Sequence, residues 1–154
     1  MRTNSKFTLA IHALLMIAYF DNKKITSEDV ARSVGCNPVI VRNVFKDLRE
    51  AGLLQTKSGK GKTELTKPAN KITLWDVYEA TESSDPEDIF KMYYSQDTLC
   101  PIGSNIKGLL SSHFEEAINA MKKKFEKVTI DSLINELKEN SDSFELHPEL
   151  LKDK

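Results

Sequence analysis

The stretch VGCNPVIVRNVFKDL, Val34 to Leu48, leaves the chain few ways to fold. Gly35 stops whatever helix precedes it, Asn37 is a good N-cap, and Pro38 suits a first helical position, where no N–H is needed. Val41, Val44, Phe45 and Leu48 then recur at helical spacing, so an amphipathic helix is expected to run to about Ala51, with Gly52 just past its end. Upstream, ITSEDVARSVG reads as a short helix in which Thr26 and Asp29 form a capping box. A turn this tight sets the second helix across the first. The outward face then carries Val39, Asn43 and Lys46, with Arg42 on its flank. These residue types suit a DNA groove: Asn pairs with adenine and Arg with guanine, each contact worth about 1–3 kcal/mol of discrimination.

The flanking segments extend the pattern. Residues 7–20, FTLAIHALLMIAYF, are apolar on most of a helical surface, as a central core helix beginning near Asn4 or Ser5 and ending at Phe20 would be. Leu53–Thr56 and Thr63–Thr66 read as two short strands around a Gly- and Lys-rich turn, a basic wing. ITLWDVYEATE reads as a fourth helix capped by Thr73, with Leu74, Val77, Tyr78 and Ala80–Thr81 toward the core. Helix, turn, helix and wing make the winged helix-turn-helix plan. Lys57, Lys60 and Lys62 of the wing are expected to meet phosphate, as is the start of the helix at Ser27, and Asn37 is counted among the DNA-binding residues. Charge agrees. Residues 1–75 hold 13 Lys and Arg against 6 Asp and Glu, a net of +7, whereas residues 76–154 hold 9 against 17, a net of −8.

From Pro101 a long amphipathic pattern places Ile102, Ile106, Leu109, Leu110, His113, Phe114, Ala117, Ile118, Met121 and Phe125 at helical spacing. Such a helix, roughly 37 Å long at ~1.5 Å per residue, carries more apolar surface than one winged domain can cover. Pairing with a second copy through Ile102, Ile106, Leu109, Leu110, Phe114, Ala117 and Met121 buries it, and the two-fold implies a palindromic operator. The division expected is a DNA-binding domain over 1–82, a loop bearing Cys100 over 83–100, dimerisation helices over 101–140 and a mobile tail over 141–154. The fold class is mainly α with a small β wing.

Other chemistries find little support. Gly61-Lys62-Thr63 matches the end of a phosphate-binding loop, but Thr56 stands where its first glycine belongs, and Pro68 follows where a helix should start. His12, His113 and His147 are scattered with no nucleophile or carboxylate cluster beside them, so neither catalysis nor a metal site is expected. Residues 7–20 contain Thr8 and His12 and precede DNKK with no small-residue cleavage site, so they read as neither signal peptide nor membrane span. With two cysteines, Cys36 and Cys100, no disulfide framework is expected, and the location expected is the cytoplasm with thiols reduced.

The order of these pieces resembles the Rrf-type group of bacterial winged-helix regulators that includes IscR, NsrR and CymR. The likeness runs through Phe7–Ala18, VARSVGCNPVIVRNVFKDLREAGLL, the wing, KITLWDVYEATE, a cysteine-bearing loop and the long helix, over roughly residues 1–138. It implies a homodimeric transcription regulator whose helix after the loop forms the dimer interface. Members that bind an iron–sulfur cluster carry three closely spaced cysteines in that loop. Here Cys100 stands alone, which places the chain nearer the single-cysteine, YwnA-like members and leaves it without a cofactor. Cys36, in the turn before the third helix, reads as a small core filler. The wing, SGKGKTEL, lacks the Gly-Gly-aromatic sequence common in the group.

In TLCPIGSNIKG, Pro101 suits a first helical position, which would put Cys100 at the N-cap, where an anionic thiolate is favoured. Three readings stay open there: a thiol switched by an oxidant or small electrophile, an inert cap, and control by a different effector or a docking protein. A winged helix that binds only proteins is the alternative of another class. The reading adopted is a DNA-binding repressor.

Overall fold

The computed structural model describes residues 5–140 apart from 58, 60, 83–85 and 94–98. Helix α1 spans Ser5–Tyr19, α2 Ser27–Val34, α3 Pro38–Glu50, α4 Leu74–Thr81, α5 Ile106–Lys127 and α6 Ile130–Asn140. Between α3 and α4 lie two antiparallel strands, β1 at Leu54–Lys57 and β2 at Lys62–Leu65, paired from Leu54–Leu65 out to Lys57–Lys62. The fold is a mainly helical winged helix-turn-helix, as expected.

The short helices begin and end for local reasons. Thr26 accepts from the Asp29 N–H while the Asp29 carboxylate accepts from the Thr26 N–H, and Thr73 and Asp76 do the same for α4. Asn37 accepts from the Val39 N–H at 2.9 Å, with Pro38 inside the helix start. Past α3, Gly52 adopts φ +76, and Leu53 N–H reaches back to the Leu48 carbonyl at 2.9 Å. Leu14, Val30, Val41, Val44, Leu48, Ile72, Val77 and Ile130 are fully buried and tie α1, α2, α3, α4 and α6 into one core.

Several boundaries or faces differ from the sequence reading, the strands among them, which fall at Leu54–Lys57 and Lys62–Leu65 and not at Leu53–Thr56 and Thr63–Thr66. Helix α1 stops at Tyr19, one residue before Phe20. The core residue at the start of α4 is Trp75, which stacks on Tyr78 at 5.0 Å, while Leu74 is half-buried. The long helix begins at Ile106 and not at Pro101, because Ser104 and Asn105 turn back to donate to the Cys100 and Pro101 carbonyls at 2.8 and 2.7 Å. Finally, α6 folds back: Leu74 N–H meets the Val128 carbonyl at 2.9 Å, Ile130 N–H meets that of Ile72 at 3.0 Å, and Ile130 and Ile134 are buried. The head drawn at residues 1–82 therefore also includes a helix from the C-terminal segment. The tail over 141–154 lies outside the described residues.

Candidate nucleic-acid interface

The outer side of α3 is built by its own periodicity. Val41, Val44, Phe45 and Leu48 go inward, and Val39, Arg42, Asn43 and Lys46 stay exposed on the other side. Asp47, on the flank toward α1, pairs with Lys6 at 3.4 Å. On the opposite flank Arg49 stands over the Phe45 ring at 5.8 Å and reaches Thr63 of the wing at 3.4 Å. Helix α3 is thus wedged between α1 and the wing. Val34 and Ile40 add exposed apolar surface beside Val39 at the helix-turn-helix corner.

Not every expected residue is equally available. Asn37 spends its carbonyl oxygen on the cap. Arg42 is drawn to Glu28 of α2 at 2.5 Å, and Lys46 sits 3.9 Å from Glu50. Lys62 turns away from the wing tip to donate to the Asp21 carbonyl. Lys57 is exposed on β1, and Lys60 lies outside the described residues. Ser27 is half-buried at the start of α2, its hydroxyl donating to Glu28 at 3.0 Å. Glu28 is consequently held well below the usual carboxylate range, at about 2, first by its backbone N–H, then by Arg42 and Ser27. The sequence reading did not include Glu28, Lys24 or Arg49, which face the same cleft between α2, α3 and the wing.

Farther along, Cys100 is half-buried and does not cap α5. It caps the turn that leads into α5 instead: its Sγ accepts from the Gly103 N–H at 3.4 Å, and Ser104 N–H closes on the Cys100 carbonyl at 3.0 Å. The Gly103 and then the Ile102 N–H lower the thiol pKa from its ordinary value. None of the residues of α5 is buried. Met121 and Phe125 pack on the head, Phe125 stacking on Phe7 at 5.7 Å, and Phe114 stacks on Phe90 at 4.4 Å. Of the residues expected at a dimer interface, Phe114 and Met121 therefore have partners in their own chain. Ile106 and Leu110 are half-buried, while Ala117, Ile102 at 68% exposure and Leu109 at 60% remain on the surface.

Comparisons with known proteins agree with the fold and give the family. A family model described as Rrf2, iron-dependent transcriptional regulator, matches residues 3–136. YwnA of Bacillus subtilis (strain 168), a candidate HTH-type transcriptional regulator, is 31% identical over 134 residues, 87% of this chain and 98% of that protein. A solved candidate transcriptional regulator from Lactobacillus plantarum superposes with a TM-score of 0.71 at 25% identity, covering 88% of this chain and 91% of its own. T. potens IscR shares the fold, with a TM-score of 0.67 at 16% identity, covering 90% of each chain. The iron in the family description does not fit the donors at hand. Among the described residues no group of three or more His, Cys, Asp or Glu is placed to hold a metal ion, and Cys100 accepts backbone N–H groups.

Proposed function

The chain belongs to the Rrf2 family of transcriptional regulators, and from that premise we propose that it is a homodimeric, DNA-binding repressor. One observation carries the reading: α3, fixed at both ends and on both flanks, presents Val39, Arg42, Asn43 and Lys46 together on the side away from the core. A helix so presented enters a major groove. There Asn43 meets base edges, Val39 meets a thymine methyl, and Lys46 and Arg42, on the flank beside the wing, meet phosphate. Ser27, Asn37, Lys57, Lys60 and Lys62 are the phosphate contacts of the flanking elements, and Lys62 must leave Asp21 to serve as one.

Dimerisation uses α5. Its intramolecular contacts include those of Phe114, Met121 and Phe125, so Ile106, Leu109, Leu110 and Ala117, with Ile102 in the preceding turn, are left for a second copy. The two heads then address a palindromic operator with half-sites about one or two helical turns apart. Cys100 is the switch. Its thiolate attacks one oxygen of hydrogen peroxide, the O–O bond breaks, sulfur becomes a sulfenic acid and the second oxygen leaves as hydroxide. The new group no longer suits the N–H groups of Gly103 and Ile102, and the turn leading into α5 rearranges.

The test is fluorescence anisotropy of a duplex from the DNA upstream of the protein's own gene. Reduced protein binds, peroxide releases it and dithiothreitol restores it, while Cys100→Ser binds and ignores peroxide. Binding untouched by peroxide removes the thiol switch and keeps the regulator. Absence of binding in every state removes the regulator.

A further inference from the structure

The Glu28–Arg42 pair lies at the edge of the face proposed to read DNA. The guanidinium and carboxylate lie 2.5 Å apart, with 46% of the glutamate side chain and 55% of the arginine side chain exposed. It is not needed to start α2, because Thr26 and Asp29 cap that helix by themselves. Beside it opens a cleft of about 380 Å³ lined by Lys24, Arg42 and Arg49, with Gly61 and Thr63 of the wing on the far wall. Glu28 is the one carboxylate among the described residues lining this basic cleft.

The donors around the carboxylate are informative. A guanidinium at 2.5 Å and a hydroxyl at 3.0 Å converge on it, the set that a phosphate oxygen takes from a protein. A DNA strand lying along α3 and the wing passes this cleft and needs the same donors. We propose that Glu28 is an internal competitor of the DNA backbone for Arg42, an autoinhibitory contact that lowers affinity for any duplex. The proposal rests on the DNA-binding reading above. The carboxylate stays ionised at every pH where a folded regulator works, so the competition is constant and is not a pH switch.

Glu28→Gln keeps the size and the hydrogen bonding and removes the charge. On a random-sequence duplex at about 50 mM salt, where non-specific contacts are measurable, it binds tighter than wild type by a factor of about 2 to 5, the span of an exposed ion pair. In an Arg42→Gln background the same substitution gives no gain, because the competitor then has nothing to hold. Far-UV circular dichroism verifies folding, and Glu28→Ala serves if the glutamine variant does not fold. Equal or weaker binding by E28Q overturns the proposal. So does a gain that persists undiminished with R42Q, which would be a general effect of charge. Wild type is titrated alongside: its failure to bind any duplex defeats the DNA-binding reading itself, and the inference with it.

Discussion

At the scale of single residues, what matters is which donors are already engaged. Glu28 is held at about 2 from an ordinary 4.5, so the folded state favours the carboxylate. That stabilisation is full above about 4.5 and is lost as pH falls toward 2, the sign for any acid whose pKa drops on folding. Melting temperatures of wild type should therefore fall more steeply across that window than those of Glu28→Gln. Parallel curves would mean the carboxylate is not held by these donors in solution. Cys100, its Sγ held by Gly103 N–H, should react with iodoacetamide with a pH midpoint below the ~8.5 of a free thiol, measured in a Cys36→Ser background. A midpoint at or above that value would leave it an ordinary cysteine. The residue types facing outward from α3 were legible in the sequence, because helical periodicity alone sorts them from Val41, Val44, Phe45 and Leu48. Glu28 was not. It sits 14 residues from Arg42, and an acidic residue in a helix's first turn has a sufficient local explanation in the helix dipole.

The elements were legible wherever a cap or a glycine marks them. Thr26, Asn37, Gly35, Gly52 and Thr73 each do what their type predicts, and α2, α3 and α4 start where those residues place them. Gly52 has φ +76 with open space where a Cβ would stand, so Gly52→Ala should lose about 1–2 kcal/mol by backbone conformation alone, read by urea denaturation. The start of α5 was misread because Pro101 suits a helix start, while the competing bonds of Ser104 and Asn105 to the backbone are not visible in periodicity. The placement of α6 was equally hidden, since an amphipathic segment does not say which surface it covers. That placement is testable: Ile130→Ala, at a fully buried position, should cost about 2–5 kcal/mol, while Leu137→Ala, 46% exposed, should change stability by no more than about 0.5. Equal effects would detach α6 from the head.

For the molecule as a whole, the basic first half and the acidic second half divide the work. On the proposed reading the head carries the surface for a polyanion, and the exposed side of the long helix, none of whose residues is buried, pairs with another copy of the chain. Leu109→Glu should turn a dimer into a monomer in sedimentation equilibrium while leaving the circular dichroism of the head unchanged, since Leu109 is 60% exposed in the single chain. A monomeric wild type at micromolar concentration would remove the dimer from the account. The likeness to the Rrf2 family could be seen from the sequence because it rests on an ordered series of local signals; the electrostatics of the cleft between α2, α3 and the wing depend on how those pieces cross in space. The measurement that bears most directly on the central claim is duplex affinity as a function of salt. If the head binds DNA through its Lys and Arg side chains, log K must fall linearly with log salt, by about 0.9 for each phosphate neutralised. Binding that is absent, or that stays flat as salt rises, would contradict DNA recognition by this helix and wing.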